Sequence, residues 1–448
     1  METASARPRK HFFLEMFTRD ISLEDCVLDL VDNSIDGLVR TYNIDLSTSL
    51  LQDTGYASGH AKEDLPVIEI SFSENQFTIN DTCGGIPQSH AINDVFNFGH
   101  GPEATSGWLG VYGIGLKRAI FKLGERFEMK SQTVENGFTV DLDVKAWAEK
   151  DEEMEDWKIP IDLISSSATL KKAGTKIKIS KLREEVVMRL NDGTFEQRLR
   201  KIISQSYGLF INRYVVIILN KKEVEPFEIP IGKSEKITPG HDAFQIKDVN
   251  VEIITTLAAK SGQEWKVEPA GWYVLCNGRI VVVADKTELT GWGTGLPQFH
   301  GPKFRRFVGV VSFQSKNPLE LPWTTSKRGL NRESAIYQLT RNRMAGVGKP
   351  ILTFLDSLYP REVLEAKAER EIADGVQQVA LSKVIGSPGS TFDVVRPKRQ
   401  TKTTTRVAFD AESVDVETIR RHLNKPKLPA SQVGQITFDY YLKNECPE

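Results

Sequence analysis

The most informative pattern of hydrophobic and polar positions lies between residues 22 and 42. Apolar side chains occupy most of this segment, whereas Asp29, Asn33 and Asp36 stand at positions i, i+4 and i+7. At that spacing the three polar residues share one face of a helix. The pattern predicts a helix packed into a core, with Ser22 as its N-cap. The polar face is either a solvated acidic surface or one wall of a site, where Asn33 would face hydrated magnesium with phosphates and Asp29 an attacking water.

A short hairpin pattern leads into the first glycine motif. Residues 67–72 and 76–79 alternate as two strands do, and they end at Asp81, which the turn glycines Gly84 and Gly85 follow. A carboxylate at a strand end accepts a hydrogen bond from a base amino group, and glycines let the backbone approach the ring closely. The motif therefore favours a base-binding turn, with an ordinary tight turn as the alternative.

A second glycine motif, formed by Gly110, Gly113 and Gly115, precedes a helical stretch at residues 116–123. Backbone N–H groups at a helix N-terminus attract phosphate, and Lys117 adds a positive charge. Taken alone, a glycine triplet is also compatible with a plain turn.

The second half of the chain alternates between strand and helix patterns. The clearest hairpin covers residues 271–283, where Asn277-Gly278 is a strong type I′ turn signal. A polar loop at residues 321–329 follows an apolar strand and carries Lys327 and Arg328. This loop is either a solvated basic surface or a phosphate-sensing element.

Composition narrows the class of protein. The chain has 448 residues, 40% of them hydrophobic and 26% charged, which is ordinary for a globular protein of two or three domains. The formal net charge of -2 provides no global attraction to nucleic acid. The four scattered cysteines show no metal spacing, and neither a secretory signal nor an apolar run of membrane-spanning length is present. We expect a cytoplasmic protein with no membrane partner.

The ordered motifs resemble the GHKL ATPase superfamily, which comprises gyrase-type topoisomerases, heat-shock chaperones, histidine kinases and MutL proteins. The superfamily pattern is Glu-x-x-x-Asn, then Asp-x-Gly-x-Gly, then Gly-x-x-Gly-x-Gly, then Gly-Thr. This chain matches it with Asp29 and Asn33, residues 81–85, the glycines of residues 110–115, and Gly174-Thr175. The layout is most similar to MORC-like or MutL-like proteins.

The resemblance implies the fold class α/β, namely a two-layer α+β Bergerat-type ATP-binding fold, followed by an S5-like α/β transducer domain and a small C-terminal unit. The implied divisions are an N-terminal strap (1–20), the ATP-binding domain (21–180), the transducer domain (181–360), a helix (361–386), a basic linker (387–406) and the terminal unit (407–448).

The resemblance also implies the site, with ATP and Mg²⁺ as the bound groups. Asp29 would be the general base, Asn33 the magnesium ligand, and Lys327 a catalytic sensor of the γ-phosphate, with Arg328 as its substitute. Further nucleotide-binding residues would be Asp36, Asp81, Gly85, Ile86, Gly110, Val111, Tyr112, Gly113, Ile114, Gly115, Lys117 and Thr175.

Two positions depart from the superfamily pattern. Asp29 replaces the usual Glu, so the carboxylate is one methylene shorter and the hydrolysis rate is in question. Cys83 replaces a common glycine, and a positive φ would strain a cysteine there. We therefore expect Gly84 and Gly85 to carry the unusual backbone geometry.

The expected function is an Mg-dependent ATPase that acts as an ATP-operated, dimerising clamp or conformational switch. Three roles remain open: a DNA-associated ATPase in genome maintenance or anti-phage defence, a chaperone-like switch on a protein partner, and a nucleotide-sensing regulator with little hydrolysis. A histidine kinase is disfavoured because no phospho-acceptor helix is evident.

Overall fold

The computed structural model describes residues 9–44, 61–98, 109–110, 113–150, 157–260, 265–358, 371–373, 375–385, 388–395 and 405–446. The chain divides into two compact units, Met1–Arg396 and Pro397–Glu448. None of the helices within these described ranges combines the length and apolarity that a membrane span requires.

Helices and two main sheets build the first unit. Its helices are α1 Lys10–Arg19, α2 Leu23–Tyr42, α3 Gln88–His90, α4 Gly115–Leu123, α5 Val144–Glu149, α6 Glu184–Leu190, α7 Phe195–Ser206, α8 Gly301–Phe304 and α9 Ala335–Leu358. Its strands are β1 Val67–Phe72, β2 Gln76–Asp81, β3 Gly124–Gln132, β4 Gly137–Asp143, β5 Asp162–Ile164, β6 Gly174–Leu182, β7 Val216–Leu219, β8 Lys222–Glu223, β9 Gly232–Lys233, β10 Ile237–Thr238, β11 Gly240–Ile246, β12 Val249–Leu257, β13 Gly271–Cys276, β14 Arg279–Asp285, β15 Phe307–Gln314, β16 Gln377–Gln378 and β17 Asp393–Val394.

Eight of the described strands form the first sheet, in the order β5-β4-β3-β6-β2-β1-β7-β8. The β1–β2 hairpin is the one that the sequence predicted, with Ile70 opposite Ile79. Strands β7 and β8 lie beyond residue 180, yet β7 pairs in parallel with β1 and extends this sheet. The mixed α/β class expected from the sequence is therefore confirmed.

Helix α2 lies in the core of the first unit, as its apolar pattern predicted. Leu28, Val31 and Ile35 are completely buried. The helix begins after Ser22, whose side chain accepts a hydrogen bond from the Asp25 N–H at 3.1 Å, and ends at Asn43 in the left-handed conformation. Capping at both ends fixes which residues face the core, so the polar positions 29, 33 and 36 are held on one side.

The second sheet has the order β11-β12-β15-β13-β14, and α9 packs on β11, β12 and β15. Asn277 and Gly278 both have positive φ, as the predicted type I′ hairpin turn between β13 and β14 requires. Asn277 is fully buried: its Nδ2 donates to the Ser315 carbonyl at 3.0 Å, and its Oδ1 accepts from the Ser315 N–H at 2.9 Å. The turn is thereby fastened to the end of β15.

The predicted helix over residues 361–386 is wrong in its C-terminal part. Among the described residues there, 371–373 are helical, but Gln377–Gln378 form β16 against β9 and Leu381–Lys383 form a 3₁₀ turn. Val376, Leu381 and Val384, which belonged to the predicted helical stripe, are buried although the chain there is not an α-helix. Pairing with β9 outweighs the local helical pattern.

The second unit contains two helices in its described part, α10 Ser413–His422 and α11 Ala430–Glu445. Several aromatic side chains of this unit are exposed, among them Phe409, Tyr440 and Tyr441. Half of the predicted basic linker, namely residue 387 and residues 396–404, lies outside the described residues.

Candidate functional site

An open cleft with about 1180 Å³ of empty space lies between α2, the first sheet, the N-terminus of α4 and the loop after β15. Every predicted site residue that the structure describes lines it: Asp29, Asn33, Asp36, Asp81, Gly85, Ile86, Gly110, Gly113, Ile114, Gly115, Lys117, Thr175 and Lys327. Val111 and Tyr112 were also predicted and lie outside the described residues.

Asp81 closes one end of the cleft and is held by three protein donors. Its Oδ1 accepts from the N–H groups of Cys83 at 2.9 Å and Thr175 at 3.2 Å, and its Oδ2 accepts from the Ser34 hydroxyl at 2.9 Å. Burial raises the pKa of Asp81 to about 6, against the opposing effect of these hydrogen bonds. Since each carboxylate oxygen has two lone pairs, Oδ2 retains capacity for one further donor.

The glycines beside Asp81 allow close backbone packing. Gly84 and Gly85 have φ of 94° and 69°, whereas Cys83 is not among the described residues with positive φ, so the expectation for this motif is confirmed. A Cβ at Gly85 would stand 2.2 Å from the Gln132 carbonyl oxygen, and one at Gly174 would stand 1.9 Å from the Asp81 carbonyl oxygen. No other residue type fits at these two positions.

Asp36 organises the start of the second glycine motif. Its two carboxylate oxygens accept hydrogen bonds from the N–H groups of Leu109 at 2.8 Å and Gly110 at 2.6 Å. Burial raises the pKa of Asp36 to about 6. A Cβ at Gly110 would lie 2.7 Å from Asp36 Oδ2 and 3.3 Å from Asn33 Oδ1, so the glycine backbone comes directly against the polar face of α2.

Asp29, on α2, is buried against the N-terminus of α4, and one of its carboxylate oxygens has no hydrogen-bond partner among the described residues. Its Oδ2 makes no hydrogen bond within the described part of the protein. Burial raises the pKa of Asp29, and Lys327 opposes that effect. Gly115 lies directly over this side chain, since a Cβ there would be 2.8 Å from both Cβ and Cγ of Asp29. An unsatisfied buried carboxylate oxygen that lines a cleft is suited to a water or ligand hydrogen.

Lys117 lines the same region but is more buried than the sequence indicated. It is 1% exposed, and its Nζ donates to the Val95 carbonyl at 2.7 Å. Burial lowers the pKa of Lys117 to about 7. Near neutral pH the side chain therefore passes between its charged and neutral forms, and a phosphate would favour the charged form.

Lys327 approaches the cleft from the loop after β15. Its backbone has a φ of 55°, which is strained for a lysine, and its N–H donates to the Thr324 carbonyl at 2.8 Å. Its Nζ lies 3.6 Å from Asp29 Oδ1 and donates to Asp32 Oδ2 at 2.8 Å. The neighbouring Arg328 instead pairs with Asp25 at 3.0 Å, so of the two cations it is Lys327 that faces Asp29.

Sequence reasoning missed several residues around the cleft. One of them is Asp32, which lies on the same helix as Asp29. It is fully buried and contacts Lys327, Arg279 and Tyr207. Its position one residue before Asn33, on a face filled with apolar residues, was the available signal. Other lining residues that the sequence analysis did not select include Ser34, Arg40, His90, Asp94, Arg118 and Thr325.

The donor set fits a magnesium nucleotide. Asn33 is exposed to the cleft and makes no side-chain hydrogen bond to a described residue, so its amide oxygen is available. No cluster of three or more His, Cys, Asp or Glu side chains in the described chain could bind a metal by itself. Mg²⁺ commonly takes one or two protein oxygens and completes its shell with phosphates and water. The glycine backbone beside Asn33 leaves room for those phosphates.

Comparison with known families agrees with this geometry. Residues 21–175 match the family model described as histidine kinase-, DNA gyrase B- and HSP90-like ATPase. This part of the chain is therefore a GHKL-type domain with an ATP-binding site, and the superfamily resemblance inferred from the motifs is confirmed. No curated protein matches the chain.

Gly115→Ala tests the contact between α4 and Asp29. The added methyl group must displace either Asp29 or the first turn of α4, because it would stand 2.8 Å from two Asp29 carbons. We expect ATP turnover to fall by about tenfold or more, as is usual when a reacting group is misplaced by an ångström. Gly346→Ala on α9 is the matched control, since a Cβ there meets nothing within 4 Å. Equal ATP turnover of the two variants would show that the close contact between Gly115 and Asp29 does not matter for turnover.

The lowered pKa of Lys117 predicts that nucleotide affinity depends on pH. Its pKa, lowered to about 7 by burial, means that the charged form is lost as the pH rises above 7. Isothermal titration should show ADP affinity falling by about tenfold or more between pH 7 and 9, because each unit above the pKa removes about nine-tenths of the charged form. Lys117→Gln should bind more weakly at pH 7 and vary little over this range. The exposed Lys130→Gln should retain the wild-type dependence. A pH-independent wild-type affinity would refute this role.

Proposed function

We propose that the protein hydrolyses ATP with Mg²⁺ and uses the cycle to operate a dimerising clamp or conformational switch. The observation that carries the proposal is the meeting of Asp29, Asn33, Asp81, the second glycine motif and Lys327 in one cleft, although they come from distant parts of the chain. ATP binding follows from the superfamily; hydrolysis and the switch are the proposed steps.

The adenine end is assigned to Asp81. The carboxylate is fixed by Ser34 and by two backbone N–H groups, and its remaining acceptor capacity suits the adenine amino group. Ile86 and Thr175 line the cleft beside it and would contact the base. The hydroxyl of Thr175 is 2.9 Å from that of Ser131, which holds its orientation.

The phosphate end is assigned to the second glycine motif and Lys117. Gly113 and Gly115 present backbone at the start of α4, where N–H groups lack intrahelical partners, and Gly110 precedes them with its own N–H held by Asp36. Asn33 would bind Mg²⁺, which supplies positive charge to the phosphate oxygens when bound. Asp36 contributes by fixing the N–H groups of Leu109 and Gly110 rather than by contacting the metal.

Asp29 is assigned as the general base. Its partnerless Oδ2 is suited to orient a water and accept its proton, and burial raises its pKa, which strengthens it as a base. Lys327, whose Nζ lies 3.6 Å from Asp29 Oδ1, would sense and neutralise charge on the γ-phosphate.

The clamp is proposed by analogy with the superfamily, in which ATP brings two ATPase domains together. Residues 1–20 are the proposed strap; within the part that the structure describes, α1 exposes Phe12 and Met16. DNA association in genome maintenance or anti-phage defence is the preferred role. The second candidate, a nucleotide-sensing regulator of a protein partner, is favoured by the short carboxylate at position 29, which predicts slow hydrolysis.

An ATPase assay tests the proposed chemistry. Asp29→Asn keeps the side chain's size but removes the base, so turnover should fall by about a hundredfold or more while ATP affinity stays within a few-fold. Asn33→Ala should lose Mg-dependent ATP affinity itself. DNA-stimulated turnover would support the DNA-associated role, and turnover that Asp29→Asn leaves unchanged would support the regulator. If Asn33→Ala retained wild-type affinity and turnover, the pocket assignment would be wrong.

Analytical ultracentrifugation tests the clamp. We expect the protein at micromolar concentration to form a dimer with a non-hydrolysable ATP analogue and Mg²⁺, and to remain monomeric with ADP, because the γ-phosphate is what completes the closed state. Asn33→Ala should stay monomeric with either nucleotide. A wild-type sample that is monomeric with the analogue would exclude an ATP-driven clamp.

A further inference from the structure

A buried, charge-balanced cluster adjoins the phosphate end of the cleft. It comprises Asp29, Asp32, Tyr207, Arg279 and Lys327, and all five are at most 5% exposed. Two of the side chains come from α2, one from the end of α7, one from β14 and one from the loop after β15. The two carboxylates face two cations, so the cluster carries no net charge.

Lys327 is bound within this cluster. Its Nζ donates to Asp32 Oδ2 at 2.8 Å and is farther, at 3.6 Å, from Asp29. The N–H group that donates to Asp32 is not available to a phosphate, so transfer of all three ammonium donors to a γ-phosphate requires Lys327 to release Asp32. A buried carboxylate that loses its only cation is strongly destabilised. A second partner for Asp32 is therefore needed if Lys327 is to exchange.

Arg279 is that second partner. Its Nη1 donates to the same Oδ2 of Asp32, and the Tyr207 hydroxyl donates to Oδ1 at 2.7 Å. The guanidinium also lies 5.5 Å from the centre of the Tyr207 ring, and its Nε has no hydrogen-bond partner among the described residues. Of the two cations, Lys327 lines the cleft in the described chain and Arg279 does not. Arg279 is thus dedicated to Asp32 and has no route to the nucleotide.

Arg279 is held in place by the second sheet. It directly follows the Asn277-Gly278 turn, which is anchored to Ser315 by two hydrogen bonds. Arg279, the cation that would stay on Asp32 when Lys327 leaves, is therefore fixed to the second sheet, whereas Asp81 lies at the end of a strand of the first sheet.

We propose that Arg279 is a positioning residue that keeps Asp32 paired, so that Lys327 can exchange from Asp32 to the γ-phosphate of bound ATP. The proposal rests on the sensor role of Lys327 given above. Without Arg279, Lys327 is retained by Asp32, and the site loses its distinction between ATP and ADP.

The test compares affinities for ADP and for a non-hydrolysable ATP analogue, both with Mg²⁺, by isothermal titration. Lys327→Ala should reduce the preference for the ATP analogue by about tenfold, the size expected for one charge-assisted hydrogen bond. Arg279→Gln should reduce it similarly, while ADP affinity stays within about twofold because the base and α/β-phosphate contacts are untouched. Arg126→Gln, which alters an exposed ion pair with Asp141 away from the cleft, should leave the preference unchanged.

Two further variants separate positioning from structural support. Arg279→Lys retains the charge and should keep most of the preference. The double variant Asp32→Asn with Arg279→Gln is neutral at both positions and no longer retains Lys327, so it should regain the wild-type preference. A double variant that binds ADP normally but lacks the preference would overturn the proposal.

The outcomes also separate this proposal from the one on which it rests. A wild-type preference in Lys327→Ala would refute the sensor role itself. A wild-type preference in Arg279→Gln, together with a lost preference in Lys327→Ala, would overturn only the role of Arg279.

Discussion

The structure depends on one electrostatic constraint: two carboxylates, Asp29 and Asp32, are buried on a helix whose buried residues are mostly apolar. Burial of such charges is costly unless cations and hydrogen bonds accompany them. The cations come from Lys327 and Arg279, both from the part of the chain that builds the second sheet. The two buried carboxylates of α2 therefore have both cations only when the second sheet is packed against that helix.

Close backbone approach is the second condition for the site. Gly115 allows the start of α4 to lie directly on Asp29, and Gly110 allows the preceding loop to lie on Asp36. At the other end, Gly174 lies against the backbone of Asp81, so that the neighbouring Thr175 N–H reaches the carboxylate. A Cβ at Gly110 or Gly115 would displace a carboxylate side chain of α2, and a Cβ at Gly174 would displace the backbone of Asp81.

Local sequence patterns predicted an element correctly where a residue type strongly favours one backbone conformation, as at helix caps and tight turns. Ser22 and Asn43 limit α2, Asn277-Gly278 forms the expected hairpin turn, and Asp81 ends β2 at the cleft. The predicted helix over residues 361–386 was wrong in its C-terminal part, because the apolar stripe there also fits a short strand, and pairing with β9 decided between them. Strand β7 joined the first sheet through parallel pairing with β1, a contact that no local pattern encodes.

The sequence by itself determined the superfamily, the order of its motifs and the residues that line the ATP cleft, because those motifs combine rare backbone requirements with fixed chemical groups. Tertiary structure alone decided how the charges pair. Asp32 and Arg279 are 247 positions apart, and Lys327 lies 295 positions from Asp32. Nothing in local spacing relates such residues, since their partnership arises from the packing of α2 against the second sheet. The structure also shows that Asp29 Oδ2 has no hydrogen-bond partner among the described residues, which no sequence pattern could reveal.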